Sequence, residues 1–400
     1  MEFCAKLAIL FTIALLPHLS AQQITARYYP EKQHYLVGEP IIVVYEFINA
    51  SPKAVTHYES NCQLFSPNKF EVDDAPPPKR TVELYGCGPK IIAGSCLGSL
   101  REIRPNGKSQ ERFLLEGAFE LNAPRKYHIR AKRSERVHAA KRNELIVELN
   151  VASEFDVTLR APKAGELEAA YQAFFGELTS RNSMVQFLAA SAIAQNPPFF
   201  AEAILLSVAT DPSHFASAYA VRGLQRLATP SARATLLQMA SPMSPKGLQQ
   251  HAIEALGLIG NPEDCQAMLA IASASRNYTQ AEAYTAAGRI CKERALPALT
   301  ALAGADDRQL LMGVAGGLAN TYSRSAVPPL ITLLQSPDSI TRGHAEDGLA
   351  KLTHRRSKYG VEDEDAAEQS HIEWLNWWSV SGNTAPIYGS DQCMPPQPLY

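Results

Sequence analysis

Ten histidines and seven cysteines are the residues of this 400-residue chain best suited to chemistry. A histidine titrates near neutrality, so it can take a proton from a nucleophile or bind a metal through a ring nitrogen. Nine of them (His34, His57, His128, His138, His214, His251, His344, His354 and His371) are scattered through the chain, and no two show metal-ligand spacing. There is no HExxH, no GxSxG elbow, no P-loop and no GxGxxG turn. His251 and His344 fall inside alanine-rich helical patterns, where a structural role is the default. No catalytic residue, metal or cofactor is therefore expected, and the chain reads as a non-enzyme.

The cysteines depend on the compartment. Lys6, the apolar run from Leu7 to Leu16, Pro17 and the small residues up to Ala21 read as a signal peptide over 1–21, cleaved near Ala21. That run is too short to span a bilayer, so no membrane span is expected. Export places Cys62, Cys87, Cys96, Cys265, Cys291 and Cys393 in oxidising surroundings. They can pair in many ways, and no CxxC suggests a metal or redox site.

Charge offers two candidate surfaces. Arg125, Lys126, Arg130, Lys132, Arg133, Arg136, Lys141 and Arg142 are opposed in their window only by Glu135. They read either as a patch for an anionic glycan, an anionic surface or an acidic protein, or as the solvated face and tip of a hairpin. Arg130, Lys132 and Arg133 are the candidate contacts. Near the C-terminus, Trp374, Trp377 and Trp378 share one helix face, as a cap over a helical stack or as a sugar platform. The neighbouring Glu362-Asp363-Glu364-Asp365 lacks EF-hand spacing and reads as a solvated loop. A formal net charge of -2 gives no reason to expect nucleic acid.

Two kinds of element must carry these residues. Over 22–160, runs rich in β-branched and aromatic residues alternate with turns. Ile41 to Ile48 lies between Gly38-Glu39-Pro40 and Asn49-Ala50-Ser51-Pro52. Phe113 to Leu115, Tyr127 to Ala131 and Glu144 to Leu149 predict further strands. Tyr127, Ile129 and Ala131 alternate with His128, Arg130 and Lys132, which gives one apolar and one basic face. An antiparallel β-sandwich is expected. Val37-Gly38-Glu39-Pro40-Ile41 and the late stretch Leu121 to Ile129 resemble bacterial immunoglobulin-like domains. The resemblance implies that the Tyr127 hydroxyl ties down a corner.

From 161 to 353 alanine and leucine recur at helical spacing. Leu188, Ala220, Ala252, Ala283, Val314 and Ala345 follow one another at intervals of 31 or 32 residues. Three residues after each stands a small one: Ser191, Gly223, Ala255, Ala286, Gly317 and Gly348. This phase predicts an α-solenoid of about six helix pairs, each closing the apolar stripe of its neighbour. First helices are expected over Pro262–Ser273 and Ala326–Gln335, second helices over Lys246–Leu258 and Pro337–Leu352. Pro230, Pro262 and Pro337 would sit at helix starts, with Asn261 and Ser336 as N-caps. Cys265 at the start of one helix and Cys291 at the end of its partner would meet as a disulfide. A Trp-rich capping helix over 354–379 and a Pro-rich tail over 380–400 complete the chain.

Ala326 to Asp338 with Arg342, Ala345 and Leu349, and His251 to Pro262, resemble the short HEAT-like repeats. That resemblance implies a protein-binding role. The family often carries Arg three residues before the alanine position; here the equivalents are Val185, Ser217, Gln249, Gln280, Leu311 and Arg342. A continuous basic ladder is absent, which disfavours partners held mainly through phosphate or carboxylate. Ser217, Gln249, Gln280 and Arg342 are the partner-facing candidates. The expected function is a secreted or periplasmic protein-binding scaffold. The alternative is a sandwich-led inhibitor or glycan binder with the solenoid as spacer.

Overall fold

The computed structural model describes residues 23–60, 68–73, 98–115, 119, 121–140, 144–382, 384–389 and 397–398. The signal-peptide stretch, Cys62, Cys87, Cys96, Cys393, Lys141 and Arg142 lie outside them. The chain divides into two compact units, the first ending at Asn196 and the second running from Pro197 onward.

In the first unit β1 (Ile24–Pro30), β3 (Ile42–Asn49) and β7 (Gly107–Leu114) form an antiparallel three-stranded sheet in the order β1-β3-β7. The second sheet has the order β2-β9-β8-β4-β6. It is built on a long hairpin of β8 (Lys126–Ala139) and β9 (Leu145–Arg160), with β4 (Val55–Ser60) and β6 (Gly98–Ile103) beyond it. β5 (Lys69–Val72) also pairs with β8, and β2 (His34–Leu36) joins β9 in parallel. Tyr45, Phe47 and Phe113 from one sheet and Val55, Ile129, Ala131 and Val157 from the other belong to one buried core. The period of two in β8 sends Tyr127, Ile129, Ala131, Arg133, Glu135 and Val137 inward together.

Side-chain to backbone bonds fix the corners. The Tyr127 hydroxyl accepts from Ala123 N at 3.2 Å and donates to Ala123 O at 3.3 Å. Asn49 is fully buried, and its amide donates to Lys53 O, Ile103 O and Arg104 O. Helices α1 (Glu166–Glu177) and α2 (Ser183–Gln195) belong to this unit. Tyr171 of α1 donates to Gly38 O at 2.9 Å, and Glu177 accepts from Arg112 of β7 at 2.8 Å.

The second unit is a run of helix pairs: α3 (Glu202–Thr210) with α4 (Ser217–Leu227), α5 (Pro230–Met239) with α6 (Lys246–Ile259), α7 (Cys265–Ala274) with α8 (Asn277–Cys291), α9 (Leu296–Leu302) with α10 (Arg308–Asn320), and α11 (Val327–Leu333) with α12 (Ser339–Thr353). Every in-phase position is buried in a second helix, Leu188 in α2 and the others in α4, α6, α8, α10 and α12. The small residues allow backbone-close contact. A Cβ on Gly317 would fall 2.6 Å from Tyr284 O, and one on Gly288 would fall 2.0 Å from Gly317 O. Thr229 and Asn261 cap their helices as side-chain acceptors, with Pro230 and Pro262 in the first turn. Pro337 differs from expectation. It precedes α12, whose cap is Asp338 accepting from Thr341 N at 2.7 Å, while Ser336 accepts from Asp338 N. The carboxylate is the stronger acceptor and suits the positive end of the helix.

Helix α13 (Glu364–Trp377) packs on α11, capped by Asp363. Trp374 is buried and donates through Nε1 to Glu346 Oε2 at 2.7 Å, and Trp377 packs edge-on against it. Two of the three tryptophans are therefore closed to a sugar.

Candidate functional site

The basic hairpin is a set of ion pairs. Arg130 Nη2 lies 2.6 Å from Asp73 Oδ1 and its Nε 3.2 Å from Glu71 Oε2; Lys132 Nζ lies 3.7 Å from Glu71 Oε1. Lys126 pairs with Asp156 and Arg136 with Glu148. The acids come from β5, the residue after it and β9, so a count along β8 alone overstated the free positive charge.

Arg133 corrects the sequence reading outright. Continuing the alternation two steps past Ala131 puts Arg133 and Glu135 on the inner face, and Arg133 is buried, not a surface contact. Its guanidinium lies over the Tyr45 ring, 4.3 Å from the centroid. It donates to Glu111 Oε1 at 3.1 Å, to Glu135 Oε1 at 3.3 Å and to the carbonyl of Tyr58. Glu135 in turn accepts from the Tyr45 hydroxyl at 2.5 Å. Burial opposes ionisation of Glu135. The hydrogen bond to His57 and the charge of Arg133 nonetheless hold its carboxyl below the usual carboxylate range. Burial and the nearby carboxylate push the Tyr45 phenol well above its ordinary value.

The same cluster holds a serine, a histidine and a glutamate in relay. Ser109 Oγ is 2.9 Å from His57 Nε2, and His57 Nδ1 is 2.8 Å from Glu135 Oε1. In an open cleft this geometry activates a hydroxyl for attack on an acyl carbon. Here the relay is sealed. Ser109 and His57 are buried, and Phe47 stacks on the imidazole with ring centroids 4.3 Å apart. The shallow cavity of about 320 Å³ beside the hairpin is lined by Arg133, Glu135, Tyr58 and Leu100 among others, and by neither Ser109 nor His57. The relay bonds the two sheets, Ser109 from β7 to His57 of β4 and Glu135 of β8. Sequence reasoning missed it because the three residues are far apart in the chain. The available signal was the inward phase of Glu135.

The four solenoid candidates separate by burial. Ser217 and Gln280 are half-buried, in α4 and α8. Gln249 is buried and donates to Ala240 O and Ser275 Oγ. Arg342 is buried and donates to the carbonyls of Val361, Ser336, Pro337 and Glu362. Gln249 and Arg342 are thus fasteners of their own unit, not contacts for a partner. Three residues before the in-phase position, a helical side chain points toward the adjoining loop.

Cys265 and Cys291 are joined by a disulfide, with Cα atoms 4.9 Å apart, between the start of α7 and the end of α8. Among the apolar side chains that the solenoid leaves exposed, Phe215 (58% exposed), Met243 (93%), Tyr278 (62%) and Ile340 lead into second helices, while Phe199 precedes a first helix and Leu258 lies at the far end of α6. Among the described residues no cluster of His, Cys, Asp and Glu can hold a metal ion, and no helix is long and apolar enough to cross a membrane.

The helix pairs define a class. Residues 201–279, 237–315 and 266–350 each match the model of the HEAT repeats family, so the C-terminal region carries HEAT-like repeats. No curated protein matches the chain. Among solved structures it is similar to two crystal structures of engineered proteins. One is 20% identical, with 45% of this chain and 95% of that chain covered, at a TM-score of 0.30. The other is 19% identical, with 54% and 65% covered, at a TM-score of 0.29.

Proposed function

We propose that the protein is an exported, non-catalytic protein-binding scaffold that docks its partner along the exposed loops of its HEAT-like repeats, with an immunoglobulin-like sandwich ahead of them. HEAT repeats typically serve as protein-interaction scaffolds. The observation that carries the reading is the placement of Phe215, Met243 and Tyr278, large apolar side chains held in water at the entries to α4, α6 and α8. Repeat stacking closes most of the apolar surface, and the recurrence of these three at the same place in successive repeats marks a contact surface. The apolar run from Leu7 to Leu16 and the Cys265–Cys291 bond support export, since disulfides persist in oxidising compartments. The sandwich-led alternative has weaker support, because Arg130 and Lys132 are already paired with acids.

A photo-crosslinking amino acid in the full-length chain tests the reading. At position 215 or 278 it should give one discrete protein adduct in the exported fraction; at position 132 it should give none. Adducts from 132 alone would transfer the role to the sheets. N-terminal sequencing of the exported protein should begin at Gln22.

A further inference from the structure

The ends of three successive second helices carry large side chains at positive φ. Lys292 closes α8 with φ 53°, Tyr322 follows α10 with φ 53°, and His354 closes α12 with φ 51°. Glycine is the usual residue at such a cap, and the two preceding repeats use Ala228 and Gly260. A Cβ in this conformation crowds the following carbonyl, so Lys and Tyr are disfavoured there and mark a place to look for function.

Two of these side chains converge with a third. Lys292 Nζ lies 4.6 Å from the centre of the Tyr322 ring, and Lys351 Nζ lies 4.9 Å from the same centre. Lys351 Nζ donates to Asn320 Oδ1 at 2.7 Å, and Asn320 Nδ2 donates to Thr285 O at 3.1 Å, which fixes the ammonium across repeats. Arg289, in the last turn of α8, adds a third positive charge. Neither Arg289 nor Lys292 makes an ion pair among the described residues. Crowding by the surrounding protein, and then the Arg289 guanidinium, hold the Lys292 ammonium below the usual lysine range. A helix C-terminus accounts for one nearby cation, and a π face accounts for another. Neither accounts for ammoniums from two separate repeats held on one ring with a guanidinium beside them.

We propose that Lys292, Tyr322 and Lys351, backed by Arg289, form a carboxylate-binding site for an acidic peptide segment of a protein partner. The ammoniums take the carboxylate, and the Tyr322 ring packs on the methylenes that carry it. Lysine ammoniums take carboxylate and phosphate alike, so inorganic phosphate is one arm of the test. The near-neutral chain also lacks the net positive charge that gathers nucleic acid. The site rests on the scaffold reading only for the partner being a protein. It lies at the opposite helix ends from Phe215 and Tyr278.

The test is fluorescence anisotropy of the full-length, disulfide-intact protein with a labelled peptide of repeating Glu-Glu-Leu. The same peptide with Gln for Glu, inorganic phosphate and phosphatidylserine vesicles are the comparison arms. Lys292→Glu and Lys351→Glu should each weaken the acidic peptide at least tenfold. Lys246→Glu, at an exposed lysine that starts α6, should stay within twofold. Lys292→Met keeps the aliphatic stem and should lose binding with an unchanged thermal melt, which guards against a folding defect. Unchanged affinity in the Lys292→Glu/Lys351→Glu double variant overturns the proposal. So does competition by phosphate or vesicles as strong as that by the peptide. Crosslinking at position 278 is expected to survive these substitutions, so loss of one reading leaves the other standing.

Discussion

The interior around Arg133 and the interior around Gly288 are closed with opposite materials. Between the sheets, a guanidinium, carboxylates, an imidazole and a phenol satisfy one another where aliphatic packing would be expected. Between the helices, alanine and glycine bring backbones almost into contact. The first solution is specific, because each polar group has few acceptable neighbours and a slipped strand strands a charge. The second is repetitive, because any small residue in phase fits any neighbouring repeat. One unit is therefore sensitive to the loss of a partner, the other to the gain of an atom.

The largest effect should come from Arg133→Met. It leaves Glu135 and Glu111 without their cation, and a broken buried pair costs about 3–5 kcal/mol. Urea unfolding followed by a probe in the sheets measures it. Arg133→Met/Glu135→Met should cost less than the two single changes together, and additivity would show that the network is not coupled. Cys265→Ala/Cys291→Ala should cost the solenoid about 3 kcal/mol, the loop-closure value for a bridge of this span. Reduction of the parent protein should lower its melting temperature to match.

Gly288→Ala tests the other half of the comparison. The added methyl meets the Gly317 carbonyl, and overpacking should cost about 1–3 kcal/mol. Gly247→Ala, where nothing lies within 4 Å, should instead stabilise by about 0.5–1 kcal/mol. Equal effects at the two glycines would remove the close-approach account of the repeat.

The smallest effects are in the pH dependence, and the units should differ in sign. Glu135 has a folded pKa below the ordinary carboxylate value. Its contribution is present above that ordinary value and is lost as pH falls through the folded pKa. Burial raises the pKa of Glu346, over the hydrogen bonds it accepts from Ser357 N and Trp374. It should therefore erode stability as pH rises from the ordinary carboxylate value through the folded one. Glu346→Gln keeps an acceptor for the indole and should flatten that fall, while Glu135→Gln should flatten the acid-side loss. Unfolding series between pH 3 and 7 on both variants would show whether the slopes oppose.

Much of the solenoid was legible because its rule is local. A helix turns every few residues, so a small side chain at a fixed interval marks one face of every second helix. The pairing of Cys265 with Cys291 follows from the ends at which they fall. The partner-facing residues were not legible by the same route. Gln249 and Arg342 occupy equivalent places in the repeat, yet neighbouring loops engulf both. In the sheets, the alternation at Tyr127, Ile129 and Ala131 already implied an inward Arg133. Only Glu71 of β5 and the adjoining Asp73 showed that Arg130 and Lys132 are neutralised.

By itself the sequence determined the order of strands then helices, the phase of the repeats and the absence of short catalytic motifs, because each depends on neighbours within a few residues or at a constant period. The tertiary structure alone decided which charges are free. It joined His57 to Glu135 and Ser109, and it set Lys292 and Lys351 on Tyr322. Coulomb interactions and hydrogen bonds act over ångströms in space and carry no record of distance along the chain.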